Sequence, residues 1–162
     1  ECVMIKSTDS NYVPGRRVGG WVKLKPIQET LDLVITGAEW GEGKRANWLS
    51  SLTISCKEGD EFLEIGKVGT GIREKENEEG LSFSQITKEL EPLIISKKGK
   101  EVKLEPKLIL EIAYEEIQNS NNYNSKYALR FPRVLKIRND LSLNDVDDLE
   151  RVEKIYKKQR KI

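Results

Sequence analysis

The sequence predicts a mainly β fold with two helices, and three observations support this. Apolar and polar residues alternate through TLDLVITGAEWG at 30–41, as in a strand with one buried face. The spacing then changes: Phe83, Ile86 and Leu90 follow at three and four residues, the spacing of one helix face. A second amphipathic helix is predicted near the C-terminus, from Val146, Leu149, Val152, Ile155 and Tyr156.

Only strands are predicted before the first helix, at 1–6, 21–26, 30–41, 49–57 and 62–71. The first two are joined by a segment rich in Ser, Asp, Asn, Pro and Gly, a composition typical of loops. GEGKRAN and EGDE are predicted turns between the later strands. Gly37 interrupts an otherwise regular strand and therefore predicts a bulge or bend.

The second half begins with the first helix. Ser82 and Gln85 form an S-x-x-Q pattern that predicts a capping box, and Pro92 with the SKKGK turn ends the helix. Ser142 and Asp145 are the predicted cap of the C-terminal helix. Strands are predicted between the helices at 101–104 and 107–117, and on both sides of Pro132 within 127–138.

The order of elements from 30 to 138 predicts the topology. Three strands, a helix and further strands are the order of the OB-fold, a five-stranded Greek-key barrel. Other small β-barrels also fit this order, so the order alone does not decide between them. Barrels of this kind commonly bind nucleic acids.

Composition limits the chemistry that the chain can perform. Charged residues make up 34% and apolar residues 37%, and no apolar run approaches 18 residues, which predicts a soluble protein without a transmembrane helix. There is no histidine, which excludes Ser–His and Cys–His mechanisms and the usual zinc sites. Cys2 and Cys56 are predicted to be buried free thiols. Catalysis would therefore use Lys, Arg, carboxylates or a hard metal ion.

Charge is segregated although the net charge is only +1. Residues 15–26 and 126–138 contain several Lys and Arg and no acid, which suits a polyanionic partner. On the strand at 21–26, Lys23 and Lys25 would project to the same face, where two ammonium groups could hold a phosphate. The alternatives are a solvated sheet face for the two lysines and a heat-adapted source for the Lys and Glu enrichment.

Several motifs, in order, resemble the C-terminal portion of ATP-dependent DNA ligases of the archaeal and eukaryotic replicative type. ECVMIKSTDSNYVPGRRVGGWVKLKP is similar to E-G-x-M-x-K, Y-x-P-G and W-x-K-x-K at the end of the adenylation domain. TLDLVITGAEWGEGKRANWLSSL resembles the first hairpin of the OB domain, and GKVGTG, AYEEIQ and ALRFPR resemble later blocks. The resemblance implies that 1–28 belongs to the adenylation domain and 29–162 to an OB-fold DNA-binding domain.

The resemblance also implies a function. The family moves AMP from ATP onto a lysine, passes it to the 5′-phosphate of a nick, and lets the 3′-hydroxyl displace it, assisted by Mg²⁺. The expected cofactors are ATP and Mg²⁺, and the expected partner is nicked duplex DNA in replication, repair and recombination. The expected location is the cytoplasm and nucleoid of a prokaryote, or the nucleus of a eukaryote, with no membrane partner.

Site residues follow by position in the matching motifs. Lys23 and Lys25 would touch the α-phosphate, Arg17 and Lys6 would bind ATP, and Glu1 would be linked to the metal. In the barrel, Arg138 and Asp140 match R-x-D-K, which orients pyrophosphate. Arg130, Arg133 and Lys136 are candidates for DNA contact. For Arg130 and Arg133 the alternative is a salt bridge to Glu111 or Glu115.

Three departures from the family pattern matter. Leu141 replaces the lysine of R-x-D-K, and Cys2 replaces a glycine. The K-x-D-G nucleophile pattern is absent from the 162 residues, so we expect the chain alone to be inactive and the missing part to act in cis or in trans. The alternative function is a non-catalytic OB module that binds nucleic acid. In that case four aromatic side chains could stack on bases rather than pack in the core, those of Trp21, Trp40, Trp48 and Tyr127.

Overall fold

The computed structural model describes residues 3–11, 13–15, 19–24, 29–74 and 80–159. The strands are β1 Val3–Lys6, β2 Trp21–Leu24, β3 Leu31–Trp40, β4 Leu49–Glu58, β5 Glu61–Val68, β6 Ile94–Lys98, β7 Glu101–Leu104, β8 Ile109–Ala113, β9 Glu116–Asn119, β10 Tyr127–Arg130 and β11 Arg133–Ile137. The helices are α1 Phe83–Leu90 and α2 Leu149–Gln159. The mainly β composition with two helices is confirmed.

Five antiparallel strands form the barrel in the order β11-β8-β3-β4-β5. The two end strands meet where the Val134 backbone N–H donates to the Thr70 carbonyl, just beyond β5, at 2.9 Å. The first barrel strand, β3, thus lies between the second and the fourth, and α1 lies in the chain between the third and the fourth. This is the arrangement of an OB-fold, as predicted. The β6–β7 hairpin joins the C-terminal end of β3.

The core fills the barrel and continues under both helices. The alternating residues of β3, Leu31, Leu33 and Ile35, are almost completely buried, as their period-two spacing predicts. Helix α1 buries Phe83, Ile86 and Leu90, and helix α2 buries Val152, Ile155 and Tyr156. The bulge predicted at Gly37 is present, because the pairing of β3 with β4 shifts register between Ile35 and Gly37.

The cysteine prediction can be assessed at one of its two positions. Cys56 is a buried free thiol. Burial in apolar surroundings raises the pKa of this thiol to about 12, so it stays protonated at neutral pH. Cys2 lies outside the described residues.

The predicted strand at 107–117 is two strands. β8 ends at Ala113, the buried Tyr114 follows, and the chain then enters β9, which pairs with β10 in a separate two-stranded ribbon. The side-chain amide of Gln159 at the end of α2 donates to the Ile117 carbonyl and accepts from the Ile117 N–H, at 2.7 and 2.9 Å. Helix α2 therefore satisfies both backbone groups of one residue of the ribbon.

Three local predictions need correction. Ser142 and Asp145 form a capping box on a single 3₁₀ turn, Leu143–Asp145, and not on α2. α2 begins later, where Asp148 Oδ1 accepts from the Arg151 N–H at 2.8 Å. At α1, Ser82 accepts from the Gln85 N–H at 3.2 Å, which is one half of the predicted box. The predicted SKKGK turn is largely strand β6, with the turn at its end.

Across the described part of the chain, no helix has the length and apolar character needed to cross a membrane.

Candidate nucleotide and nucleic-acid sites

Strands β1 and β2 form an antiparallel hairpin whose pairing decides which side chains share a face. Met4 lies opposite Lys23, and Lys6 lies opposite Trp21. Directly opposed residues and residues two apart on one strand point to the same side, so Lys6 and Lys23 project from one face. The Lys6 ammonium lies 4.3 Å from the centre of the Trp21 ring, a cation–π contact. This face presents two exposed cations and an aromatic ring.

The opposite face of the hairpin is entirely apolar. It consists of Val3, Ile5, Val22 and Leu24, each more than half exposed. A two-stranded hairpin is at best marginally stable without packing against another element. Uncovered apolar surface of this kind is typical of a face that another part of a protein normally covers.

Three of the predicted residues cannot be placed. Glu1, Arg17 and Lys25 lie outside the described residues. The predicted shared face of Lys23 and Lys25 therefore stays a prediction, as does the metal role of Glu1.

Arg138 is the centre of a charged cluster at the end of β11. Its Nη1 donates to both carboxylate oxygens of Asp32, at 2.9 and 3.1 Å. Its Nε and Nη2 donate to the two oxygens of Asp140, at 2.9 and 2.8 Å. The hydrogen bonds from Arg138 lower the pKa of Asp140 to about 2, and those to Asp140 raise the pKa of Arg138. The structure thus brings the two R-x-D-K residues into direct contact.

Glu111 on β8 adds a third carboxylate to this cluster. Its side chain lies 4.0 Å from Arg138 Nη1 and 3.4 Å from the ammonium group of Lys136. The Thr30 hydroxyl donates to Glu111 Oε1 at 3.0 Å and fixes the carboxylate from the other side. Lys136, a predicted DNA contact, therefore has an acidic neighbour, although its side chain remains 62% exposed.

A second basic site lies at the corner between β10 and β11. Arg130 pairs with Glu116 at 2.8 Å, and its guanidinium lies 5.2 Å from the centre of the Phe131 ring. The alternative of a salt bridge thus holds for Arg130, but with Glu116 and not with Glu111 or Glu115. Arg133 forms no ion pair with any residue in the described part of the chain.

Phe131, at the same corner, is not among the residues predicted from the sequence. It is 64% exposed, and its backbone has φ +50, a conformation uncommon for a residue with a side chain. Strained, exposed positions of this kind concentrate at functional sites. The signal that could have found it is its place in R-F-P-R, where an aromatic residue stands beside a proline and between two arginines.

The other aromatic residues largely belong to the core. Trp40, Trp48 and Tyr127 pack against the buried cluster, and Trp48 stacks on Phe83 with ring centres 6.0 Å apart. Core packing, the alternative to stacking on bases, therefore holds for these three. They are therefore poorly placed to stack on bases, which weakens the alternative of a single-strand-binding module.

Leu141, which replaces the lysine of R-x-D-K, has a packing role. It lies against a small apolar cluster formed by Val34, Ile109 and Val146. The replacement therefore removes a cation from the neighbourhood of Arg138 and adds apolar contact under the turn.

The OB topology with a basic corner, preceded by a lysine-bearing hairpin, places the chain in the class of small Greek-key barrels, which commonly bind nucleic acids or oligosaccharides. Residues 45–141 match the family described as ATP dependent DNA ligase C terminal region. The chain is 52% identical over 163 residues to a DNA ligase of Nanoarchaeum equitans, and 48% identical over 161 residues to one of Archaeoglobus fulgidus. These alignments cover 99% and 98% of this chain but only 29% and 28% of the relatives.

Solved structures agree with this assignment. The ligase domain of M. tuberculosis LigD matches with a TM-score of 0.60 and 27% identity, over 90% of this chain and 47% of that one. Mycobacterial DNA ligase D, complexed with ATP and MES, matches with a TM-score of 0.56 and 25% identity, over 88% and 45%. The chain belongs to the ATP-dependent DNA ligase family and corresponds to its C-terminal region.

Proposed function

We propose that this chain is the C-terminal part of an enzyme that seals nicks in duplex DNA through lysyl-AMP and DNA-adenylate intermediates. Residues 1–28 would complete the adenylation domain, and 29–162 would form the OB domain that grips DNA. The observation that carries the proposal is the shared face of Lys6 and Lys23 in a chain of this family. The apolar face behind them would pack against the remainder of the adenylation domain.

The chemistry assigned to the hairpin is charge neutralisation at phosphorus. Lys23, with Lys25, would contact the α-phosphate of ATP and of the adenylate, and Lys6 and Arg17 would help to bind the nucleotide. Fixed cations stabilise the charge that develops on phosphoryl oxygens, and they need no histidine to do so. ATP supplies the adenylyl group when bound.

Mg²⁺ is the proposed metal cofactor, with Glu1 as its candidate ligand. Within the described ranges, no group of three or more acidic or cysteine side chains is arranged to hold a metal ion. The described residues therefore offer no metal centre of their own. The roles given above for the lysines and the arginine are those of their side chains alone.

In the barrel, Arg138 is the residue proposed to orient pyrophosphate. Its guanidinium has the planar fork that binds phosphate oxygens in pairs. Asp140 carries the same sign of charge as pyrophosphate, so its part in binding would be exerted through Arg138.

The β10–β11 corner is the proposed DNA contact. Arg133 and Lys136 would bind backbone phosphates, and Arg130 would hold the Phe131 ring in place by its cation–π contact. Phosphate contacts fix the position of a protein on duplex DNA without reading its sequence. This arrangement suits an enzyme that must act on nicks of any sequence.

Exchange of domains tests the function. We expect a chimaera in which this chain replaces the matching region of the A. fulgidus DNA ligase to seal nicked duplex DNA in the presence of ATP and Mg²⁺. The A. fulgidus ligase shortened by that region is the control and should not seal. A folded chimaera that binds single strands in preference to nicked duplex and does not seal would favour the non-catalytic alternative.

Substitutions in the corner test the DNA surface. Arg133→Ala should weaken binding of this chain to nicked duplex DNA and reduce the slope of log K against log salt by about 1, the share of one phosphate contact. Phe131→Ala should weaken binding with an unchanged slope, because its contact is uncharged. Fluorescence anisotropy between 50 and 200 mM salt, roughly the range in which such slopes are resolved, measures both.

Lys154→Ala is the matched control, since Lys154 pairs with Glu150 on the exposed side of α2. If the slope of log K against log salt fell equally in the Lys154 and Arg133 variants, the assignment of the corner as the DNA contact would be refuted.

A further inference from the structure

All three nitrogens of the Arg138 guanidinium donate to carboxylates of the chain itself. Asp32 occupies the Nη1 side, and Asp140 occupies the Nε–Nη2 edge with two nearly parallel hydrogen bonds. This second arrangement is the bidentate fork in which arginine also binds phosphate. Asp140 thus occupies an edge of the guanidinium that suits a phosphate group.

The two aspartates differ in how their backbone is fixed and in how exposed their side chains are. Asp32 lies in the middle of the barrel sheet and is 24% exposed. Its backbone N–H donates to Asp147 Oδ2 at 2.7 Å, and its carbonyl accepts from the Asp147 N–H at 2.9 Å. Asp147 in turn pairs with Arg151 of α2 at 2.9 Å. Both backbone groups of Asp32 are therefore fixed, and its carboxylate, in contact with Arg138, is largely shielded from solvent.

Asp140 has no comparable support within the described part of the chain. It lies in the turn after β11, and its side chain is 64% exposed, whereas that of Arg138 is 20% exposed. It can leave the guanidinium by rotating into solvent, with the loss of two charge-assisted hydrogen bonds. A phosphate that replaced it would restore both bonds.

The charge of the cluster favours such a replacement. Two cations, Arg138 and Lys136, face three carboxylates, those of Asp32, Asp140 and Glu111. With Asp140 in place the cluster has a net negative charge, which disfavours an approaching anion. With Asp140 turned away, the charges balance and one edge of the guanidinium is open.

We propose that Asp32 is a positioning residue that holds Arg138 with its Nε–Nη2 edge toward a phosphate ligand, and that Asp140 is a displaceable cover on that edge. The ligand would be the pyrophosphate group of the nucleotide or of the released product. The inference rests on the proposed function, because it is there that Arg138 meets pyrophosphate. Asp32, which lies outside R-x-D-K, would thus orient Arg138, and Asp140 would compete with the phosphate.

The first test uses this chain and inorganic pyrophosphate as the probe. The Nε–H signal of Arg138 is followed by NMR while pyrophosphate is added to the wild type and to Asp32→Asn and Asp140→Asn. We expect Asp140→Asn to bind pyrophosphate several-fold more tightly and Asp32→Asn to bind it about tenfold more weakly, since a charge-assisted contact to the guanidinium is lost. Glu39→Gln, on the same strand and paired with Lys67, is the control and should bind as the wild type does.

Two outcomes of this titration would overturn the proposal. One is an Arg138 signal that pyrophosphate does not move. The other is a change of the same sign in both aspartate variants, because a purely structural ion-pair cluster would be loosened alike by either substitution.

The second test separates this inference from the proposed function. In the chimaera, Asp32→Asn should slow self-adenylation about tenfold and leave the sealing of a pre-adenylated nick unchanged. Equal losses in both steps, with a lower melting temperature, would make Asp32 merely structural. If the chimaera with the wild-type sequence does not seal at all, the proposed function fails, while the titration still decides how Arg138 is held.

Discussion

Lys23→Ala in the sealing chimaera is expected to slow the transfer of AMP by about 10²–10³-fold, the usual effect of removing one group that stabilises charge in a transition state. Lys23 lies on the exposed, lysine-bearing face of the β1–β2 hairpin, together with Lys6. Its removal takes away a cation without creating a cavity, so the stability of the protein should hardly change. Single-turnover measurement of enzyme adenylation and of nick adenylation reports the effect.

Lys136→Ala is the matched control for this experiment. Lys136 is also an exposed lysine on a strand, but its neighbour is Glu111, and it is proposed to meet DNA rather than the adenylate. Its loss should change sealing by less than about tenfold at low salt. Equal losses in the two variants would overturn the assignment of Lys23 to the phosphate.

Gly71→Ala is expected to lower the free energy of unfolding by about 2–4 kcal/mol. Gly71 has φ +94, and a Cβ atom at this position would lie 2.2 Å from the Val134 carbonyl oxygen. The neighbouring Thr70 carbonyl accepts the Val134 N–H that joins the two end strands of the barrel. An alanine would therefore strain its own backbone and also push apart the strands where the barrel closes. Urea denaturation measures the change.

Gly59→Ala provides the comparison, because Gly59 has φ +59 and a Cβ atom there would meet no atom within 4 Å beyond the adjoining residues. Only the conformational strain remains there, which costs about 1 kcal/mol. If both variants lose the same stability, the contact with Val134 contributes nothing and barrel closure does not depend on the glycine.

Much of the fold could be predicted because the necessary information is local. The alternation in β3 and the spacing of Phe83, Ile86 and Leu90 each reflect one buried face, and the structure has those faces in the core. The break between β8 and β9 is different. In KLILEIAYEEI the alternation ends at two consecutive acids, Glu115 and Glu116, but this does not reveal that the chain leaves the barrel there; it does so because β9 finds its partner in β10, across an intervening loop.

The residues of the site also divide into those that a local pattern places and those that depend on pairing between strands. The predicted shared face of Lys23 and Lys25 follows from strand period alone, whereas the shared face of Lys6 and Lys23 depends on the register between β1 and β2 and was not predicted. The partner of Arg130 was predicted wrongly, because the register of β9 and β10 places Glu116, and not Glu115, opposite it. The contact between Arg138 and Asp32 joins residues 106 positions apart. It depends on both β3 and β11 pairing with β8, which no local pattern reveals.

The two hydrogen bonds between the Gln159 side-chain amide and the Ile117 backbone have a consequence for the chemical ageing of the protein. A primary amide imitates a peptide group, since it offers a donor and an acceptor side by side, and Ile117 uses both. Deamidation would turn the nitrogen into a second oxygen and set it against the carbonyl of Ile117, so one hydrogen bond would become a repulsion. The hydrolysis of a single side-chain amide would thereby begin to detach the last helix from the ribbon.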